Sequence, residues 1–355
     1  MLNIYTGNGS MLDVASHRPA LLPKGHAPVM CVVVDTEEEF DWTKPFSRQN
    51  VSVASIAAQI LAHEQVFDRF GVVPTYVVDW PVATTFSAFS TLKSLMDEGR
   101  CEIGTHLHPW VSPPYMEEVN TFHSYAGNLP GELEFKKLSM LTDAISENFK
   151  RQPIVFKAGR YGLGQHTSGA LQQLGYSVDA SVVPHTSFKA DGGPDFSDYG
   201  NQPYWFGEKE SLLLELPVTT GFCGVLRRLG PKLYPHLLTP LAKTLHFGGI
   251  FARTGFLERI RLTPEGTDTA ANLRLMDTLV RDGVQVITLA YHSPSLVPGK
   301  TPYVKTVNDL RHFLNRIAEC CDYFQNNLGG IFMSPRQIRQ HMVNSLGNEK
   351  CNGQT

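Results

Sequence analysis

Short apolar runs alternate along the chain with longer segments in which apolar residues recur at helical spacing. The apolar runs, each predicted to be a strand, are 29–35, 72–80, 101–108, 153–159, 176–183, 211–219, 284–293 and 329–335. The predicted helices are 53–71, 88–99, 133–149, 165–174, 267–282 and 306–327. Buried strands alternating with helices are typical of a parallel sheet that is covered on both faces. The pattern therefore predicts an α/β fold, either an open sheet or a (β/α) barrel.

The predicted elements continue without a linker from residue 28 to residue 340, which indicates a single domain. Residues 1–27 contain Gly, Pro and Ser without a clear period and are expected to form an irregular arm. Residues 341–355 are expected to be a disordered tail. Inside the domain, residues 222–261 contain seven Lys or Arg and one acid. We expect this segment to be a lid-like insertion with a solvated basic face, although it could also meet a phosphate-bearing substrate or an anionic membrane surface.

The composition excludes several classes of protein. Hydrophobic residues make up 42% and charged residues 18% of the 355 positions, as in ordinary globular proteins. The net charge of −3 gives no electrostatic indication of nucleic-acid binding. No apolar run is long enough to span a membrane, and the N-terminus has no recognisable signal peptide. The six cysteines form no C-x-x-C pair and are expected to be free thiols in a cytoplasmic protein.

Several apolar strands end in a polar residue, and these residues are the first indication of a site. They are Asp35, Asp79, His106 with His108, Lys157 and His292. In parallel α/β folds the carboxyl ends of the strands lie at one edge of the sheet, where ligands bind. The acids, histidines and lysine are therefore expected to surround one opening.

Two histidines, His106 and His108, stand one residue apart in EIGTHLHPW. On a strand both side chains point to the same face. With a carboxylate they make a ligand set that suits zinc or a related divalent ion. Two hydrogen-bonded structural histidines would produce the same pattern, but the acidic end of another strand favours the metal.

The acidic run DTEEEFDW follows the first long strand, so Asp35 and Glu37 could face one pocket. The alternative is an acidic loop that caps the next helix and faces water. For Asp35 that alternative is weaker, because a carboxylate directly after five apolar residues is seldom a random surface charge.

Two cations and a late histidine complete the set of candidate residues. Lys157 and Arg160, in FKAGRYGLG, could lower the pKa of a carboxylate and keep it ionised as a base, or could belong to a solvated turn. The glycines there do not complete a G-x-G-x-x-G fingerprint, because residue 167 is a threonine. His292 could protonate a leaving group or bond to nearby backbone.

In this order, the motifs DTEEEFDW, GTHLHPW, GRYG and YHSPS resemble those of the polysaccharide deacetylase family, over about residues 29 to 335. This family consists of metal-dependent carbohydrate esterases and amidases with a distorted (β/α) barrel. The resemblance implies that Asp35 is the catalytic base and that Glu37 and His106 are metal ligands. Trp110 occupies the place of the family's second metal histidine, so His108 would have to substitute for it.

The resemblance also implies roles for the remaining residues. Lys157 stands where the family has an arginine that tunes the base, with Arg160 as a compensating cation. Asp179 resembles the acid of the fourth motif, and His292 resembles the general acid. The implied activity is the hydrolytic removal of an acyl group, expected to be N-acetyl, from an amino sugar, with a divalent metal, expected to be Zn²⁺. Without an export signal, a nucleotide- or lipid-linked sugar is the expected substrate.

Two alternatives remain open. The amidohydrolases also carry a metal-binding His-x-His, but on their first strand and with a late Asp, whereas here the pair lies on about the third strand and the last strand ends in His292. The other alternative is a carbohydrate-binding barrel that has lost catalysis, which the Trp110 and Lys157 departures suggest.

Overall fold

The computed structural model describes residues 11–41, 44–49, 51–207, 212–237, 239 and 247–352. Its centre is a ten-stranded sheet in the order β1-β9-β10-β6-β5-β4-β3-β2-β13, with β14 also paired to β2. The strands are β1 Arg18–Pro19, β2 Val29–Thr36, β3 Thr75–Val78, β4 Glu102–Leu107, β5 Val155–Ala158, β6 Val178–Asp179, β7 Thr186–Ser187, β8 Asp195–Phe196, β9 Tyr204–Phe206, β10 Leu213–Glu215, β11 Thr220–Cys223, β12 Glu258–Arg261, β13 Val286–His292 and β14 Ile331–Phe332. All pairings from β10 to β13 in that order are parallel, whereas β9 and β1 are antiparallel additions at one edge.

Helices cover the sheet. The α-helices are Gln59–Ala62, Asp68–Phe70, Trp80–Thr84, Phe86–Asp97, Gly131–Phe149, Thr167–Gln173, Gly230–Leu237, Phe247–Arg253, Thr269–Arg281, Val307–Asn326 and Pro335–Asn352. A 3-10 turn at Ala54–Ala58 and a π turn at His63–Phe67 join the first two into one helical segment. Every residue of β2 is buried, as its unbroken apolar sequence predicts, so a charged side chain at its end is enclosed by protein.

The sheet curves into a distorted barrel, because irregular backbone closes the gap between β10 and β13. The amide of Val218 donates to the carbonyl of Val182 at 2.8 Å. The amide of Leu262 donates to the carbonyl of Thr219 at 2.9 Å. The amide of Ala290 then donates to the Leu262 carbonyl at 3.4 Å, which links β13 to this bridge. The predicted α/β fold with parallel strands and surrounding helices is confirmed.

Three predicted strands are much shorter than their apolar patterns: 176–183, 211–219 and 329–335, of which the last contains only Ile331–Phe332. Within 176–183 only Val178–Asp179 is a strand, because the Asp179 carboxylate accepts bonds from the amide and hydroxyl of Ser181 and draws the chain out of the ladder. In the described part of the second run, 212–219, only Leu213–Glu215 is a strand, since Pro217 has no amide hydrogen to donate.

The chain ends differ in part from expectation. In the arm, Arg18–Pro19 pairs with β9, and Met11 is fully buried, so the described part of residues 1–27 packs on the domain. The tail predicted to be disordered is helical as far as Asn352, because Ile338 and Met342 bury an apolar face against the sheet. Residues 353–355 lie outside the described residues.

The basic segment 222–261 forms an antiparallel pair of strands, β11 and β12, with the helices Gly230–Leu237 and Phe247–Arg253 between them. Residues 238 and 240–246 of this segment lie outside the described residues. Within the described chain no helix has the length and apolarity needed to cross a bilayer. Cys31, Cys101, Cys223, Cys320 and Cys321 are buried free thiols, as predicted for them.

Candidate metal centre and active site

The carboxyl ends of β2, β4, β5 and β13 meet at one edge, and the strand register brings the predicted side chains together. Asp35 is the register partner of His292 on β13, and His106 is the register partner of Lys157 on β5. Glu37 follows directly after β2. This edge therefore contains the predicted base, acid, cation and metal ligands in one place, as the strand ends indicate.

Glu37, His106 and His108 form a buried three-ligand group. Glu37 Oε2 lies 3.5 Å from His106 Nε2 and 3.3 Å from His108 Nε2. The three ligand atoms lie within 4.8 Å of one another. In a tetrahedral zinc site with ligand distances of about 2.1 Å, ligand atoms are separated by about 3.4 Å. The residues present fit such an ion and leave a fourth position for water or substrate.

The hydrogen bonds of the two histidines direct their lone pairs toward this point. His106 Nδ1 lies 2.9 Å from the Lys157 carbonyl, which can only accept, so Nδ1 carries the proton and Nε2 carries the lone pair. His108 Nδ1 donates to Glu38 Oε2 at 2.9 Å. Burial lowers the pKa of both rings, that of His108 to about 4, which keeps the imidazoles neutral as metal ligation requires.

Trp110, which stands where the family's second metal histidine would be, supports His108 from behind. Its Nε1 donates to Glu38 Oε1 at 2.8 Å, and its ring stacks on His108 with centroids 4.3 Å apart. Glu38 thus accepts a hydrogen bond from Trp110 on Oε1 and one from His108 on Oε2. A carboxylate bonded to the outer nitrogen of a ligand histidine fixes the ring and raises its basicity.

Asp79 completes this supporting layer. Its Oδ2 accepts from the amide of Glu38 at 2.7 Å, and its Oδ1 caps the helix Trp80–Thr84 through the amide of Val82 at 2.9 Å. Burial raises the pKa of Asp79 well above its usual range and that of Glu38 to about 7. Glu38, Asp79 and His108 also lie within 4.8 Å of one another, but the bonds that they make hold His108 in place.

Gly159 is the one position of GRYG where the close approach of His108 excludes a larger residue. A Cβ there would lie 2.3 Å from His108 Cδ2 and 2.5 Å from the Leu107 carbonyl oxygen. The glycine after β5 therefore lets the strand end pass directly beside the imidazole.

Asp35 and Lys157 form a buried ion pair beside the metal group. Lys157 Nζ donates to both carboxylate oxygens, at 2.6 and 2.7 Å. Burial alone would raise the pKa of Asp35, but the charge and hydrogen bonds of Lys157 act against burial, and that pKa is lowered to about 2. Asp35 is therefore ionised at neutral pH. The cation beside it is the ammonium group of Lys157, at the position where the family motif has an arginine.

His292 lies on the other side of Asp35, with its Nε2 3.7 Å from Asp35 Oδ2. Its Nδ1 donates to Glu265 Oε2 at 2.7 Å, and its amide donates to Glu265 Oε1 at 3.0 Å. Burial opposes the charged ring, but Glu265 and then Glu37 outweigh it and hold the pKa of His292 well above its usual range. The contact with Glu265 therefore favours the protonated form of the His292 ring.

Two predicted catalytic residues, Asp179 and Arg160, form their hydrogen bonds with residues other than Asp35 and His292. Asp179 is buried at β6 without lining the cavity, and its carboxylate accepts from Ser181 Oγ at 2.6 Å. Ser181 Oγ in turn accepts from the amide of Ala158, so Asp179 braces the β5–β6 junction. The carboxylate that accepts from Nδ1 of His292 belongs to Glu265. Arg160 lines the cavity but bonds to Ser124 Oγ at 2.5 Å instead of joining Lys157 at Asp35.

The site opens into a cavity with two lobes. The larger lobe, of about 650 Å³, contains the metal-ligand group. The smaller lobe, of about 220 Å³, extends beyond His292. Seven aromatic side chains line the larger lobe: Phe40, Phe46, Trp110, Tyr125, Tyr161, Phe188 and Tyr303. A partly apolar cavity of this size with a few converging polar groups is the usual form of a small-molecule site.

Sequence reasoning did not find Glu38, Asp79, Trp110 and Glu265 as supporting residues, or Arg261 as a cavity residue. The sequence indicates Asp79 only as a strand end and Trp110 only as a departure from the family pattern. The TPEGTD segment that contains Glu265 has no apolar period, so no strand-end signal could have indicated it.

The sequence matches no family profile and no curated protein. Solved structures with a similar fold include a Mycobacterium smegmatis protein assigned as a polysaccharide deacetylase (19% identity, 92% of this chain and 94% of that one, TM-score 0.54). Another is the PuuE allantoinase (14% identity, 95% and 97%, TM-score 0.52). A third is a Pseudomonas aeruginosa protein assigned as a polysaccharide deacetylase (14% identity, 88% and 90%, TM-score 0.50). The chain therefore has the polysaccharide deacetylase fold that its motifs predict.

Proposed function

We propose that this protein is a divalent-metal-dependent hydrolase that removes an N-acyl group from an amino sugar, with acetyl as the expected group and zinc as the expected metal. One observation carries the proposal. A three-ligand group, an ionised carboxylate and a protonated histidine face one cavity, with Asp35 and His292 3.7 Å apart. This is the set of groups that metal-assisted amide hydrolysis requires.

The residues divide the reaction between them. A divalent metal held by Glu37, His106 and His108 would lower the pKa of water and polarise the acyl carbonyl. Asp35, kept ionised by Lys157, would take the proton of the attacking water. Lys157 donates to both oxygens of Asp35 and thereby fixes the orientation of the carboxylate.

The leaving group explains the need for His292. An amine is expelled poorly unless it is protonated, so an acid must lie close to the base. His292 would give its Nε2 proton to the departing nitrogen. Glu265 accepts from Nδ1 and stabilises the charged ring before that transfer.

The cavity suits a sugar ring. Phe46 and Trp110 form a tilted aromatic pair in the larger lobe, with centroids 4.6 Å apart, and Phe40 lies 5.1 Å from Phe46. Such faces pack against the apolar faces of pyranose rings, while the polar groups around them can bond to hydroxyls. A volume of about 650 Å³ is within the range of small-molecule sites and supports a substrate no larger than a few sugar units.

A sugar-binding barrel without catalysis is the alternative, and it is suggested by Lys157 and Trp110, which depart from the family motifs. Both residues make contacts that support the proposed site. Lys157 makes both bonds to Asp35, and Trp110 holds the carboxylate that orients His108. Neither departure removes a group that the proposed reaction needs.

The proposed function is tested by release of acyl groups from N-acetyl and N-formyl amino sugars, free, phosphorylated and oligomeric. We expect acetate release from at least one substrate, loss of that activity after removal of the metal with a chelator, and recovery on addition of zinc or another divalent ion. A metal-loaded protein that binds sugars but releases no acyl group from any of them would favour the binding barrel instead.

Replacing Trp110 by Phe should weaken metal binding by about 10-fold, the lower end of the effect of losing an outer-layer partner of a ligand histidine, because Glu38 keeps its own bond to His108. The change keeps a ring against His108 but removes the Nε1 donor to Glu38. Metal affinity is measured by competition with a chelator of known affinity. Trp205→Phe, at a buried tryptophan of β9, is the matched control and should bind metal normally. Equal affinities for Trp110→Phe and wild type would show that Glu38 positions His108 without Trp110.

A further inference from the structure

Arg261, the last residue of β12, lies at the junction of the two lobes of the cavity. It lines both lobes, and so do Asp35, Tyr161, His292 and Tyr303. A substrate group bound to Arg261 would therefore lie beside Asp35 and His292. In the substrate, that group would have to be close to the amide bond that is broken.

Arg261 differs from the other charged groups beside the reacting atoms. Asp35 pairs with Lys157, Glu265 pairs with His292, and Glu37 belongs to the group that would hold the metal. Arg261 Nη1 donates to Tyr161 Oη at 3.2 Å, and its guanidinium lies 5.3 Å from the centre of that ring. Among the residues that the structure describes, Arg261 forms no ion pair.

Arg160 is a second cation in the larger lobe and is held at that place. Its guanidinium lies 4.2 Å from the centre of the Tyr125 ring and 5.1 Å from that of Phe46, and it bonds to Ser124 Oγ. The nearest carboxylate in the described chain is that of Asp191, which lies 3.5 Å away and is largely exposed. A cation fixed by rings and a hydroxyl is pre-organised for a ligand.

The backbone at this point is strained. Arg160 and Tyr161 both adopt the left-handed conformation, with φ of 53° and 60°, although neither is a glycine. Side chains other than glycine seldom adopt this conformation, and those that do are concentrated at functional sites. This backbone places Arg160 in the larger lobe. It also places Tyr161, which contacts Arg261, where the two lobes meet.

We propose that the substrate carries an oxyanion on its sugar, near the acylated nitrogen, and that Arg261 binds this group with Arg160 as a second contact. The planar guanidinium fork matches phosphate and carboxylate oxygens in pairs. In a 2-amino sugar the anomeric carbon is bonded to the carbon that bears the amide, so an anomeric phosphate meets the distance requirement. A carboxylate on a neighbouring ring substituent meets it equally. The inference rests on the proposed deacylation and names its substrate class.

The first test is binding to metal-loaded protein of sugars that have no acyl group, so that hydrolysis plays no part. The ligands are glucose 1-phosphate, glucuronate and the neutral methyl glucoside, measured by calorimetry. We expect at least one anion to bind 10-fold or more tighter than methyl glucoside, because hydrogen bonds to a charged partner contribute on the order of 10- to 100-fold in affinity. Preference for glucose 1-phosphate indicates a phosphate-linked substrate, and preference for glucuronate indicates a sugar acid.

Paired variants locate the effect. Arg261→Gln should abolish the preference for the anion, whereas Arg259→Gln, which removes the same charge two residues away on β12, should retain it. Arg259 donates to Thr186 Oγ1 and does not line the cavity. The inference is overturned if wild type shows no preference, or if Arg259→Gln loses as much as Arg261→Gln. The second result would indicate a diffuse field with no bound group.

A kinetic comparison separates this inference from the proposed function. With acetate release as the readout, N-acetylglucosamine 1-phosphate should have a lower KM than its 6-phosphate isomer and than neutral N-acetylglucosamine, and Arg261→Gln should equalise the three. Hydrolysis without a preference between them would overturn the anion site and leave the deacylase in place. Anion binding through Arg261 with no acyl release from any sugar would overturn the deacylase and leave the anion site in place.

Discussion

Purified wild-type protein should hold close to one equivalent of a divalent metal, and replacing Glu37 by Gln should lower its metal affinity more than 100-fold. Glu37 supplies the only carboxylate of the three-ligand group, with Oε2 within 3.5 Å of both imidazole Nε2 atoms. Loss of a supporting residue alone costs about 10–100-fold, so loss of a ligand should cost more. Elemental analysis of the purified proteins and chelator competition measure both quantities.

The matched control is Glu39→Gln, in the same acidic run. Glu39 lies outside the ligand group, where it accepts from the amide of Ser55 and pairs with Lys300. This variant should keep its metal. His106→Ala and His108→Ala should behave like Glu37→Gln while retaining the wild-type circular dichroism spectrum. If wild type takes up no divalent metal even on reconstitution, the three residues are a structural cluster and the proposed reaction is wrong.

Replacing His292 by Gln should lower kcat for N-acetyl substrates by about 10²–10⁴-fold, the usual contribution of a positioned acid. Metal content should not change, because His292 bonds to Glu265 and faces Asp35 but does not belong to the ligand group. Hydrolysis of an aryl acetate should be affected much less, because a phenolate leaves without protonation. The ratio of amide to aryl ester turnover is therefore the decisive measurement.

Asp35→Asn provides the comparison for that ratio. Asp35 is the proposed base for attack on both kinds of substrate, so its loss should reduce amide and ester hydrolysis alike. Equal losses on the two substrates in His292→Gln would contradict the acid role and indicate that the ring positions Asp35. Unchanged turnover of both substrates would remove His292 from the mechanism altogether.

Much of the fold follows from the order of apolar runs along the chain. The long strand at Val29–Thr36 and the one ending at His292 are both predominantly apolar, and such runs separated by helices can form few arrangements other than a parallel sheet. The apolar runs at 176–183 and 211–219 predict strands longer than those observed, because a local feature in each run interrupts the strand pairing. That feature is the Asp179–Ser181 turn in one case and Pro217 in the other.

What the sequence alone determined about the site is the set of groups at the strand ends. Alternation along one strand is a local property, so it places His106 and His108 on a common face, and Asp35 and His292 each end an apolar strand. The order of the motifs indicates the resemblance to the family, and the resemblance implies that Glu37 is a metal ligand.

Only the tertiary structure decided which neighbours support these groups. The bond from Trp110 to Glu38, the pairing of His292 with Glu265 and the position of Arg261 between two lobes all join segments that are distant in sequence. The barrel closes through irregular backbone between β10 and β13, and that closure brings the Glu265 segment against β13. Such contacts depend on how elements pack, and no periodicity within a segment encodes them.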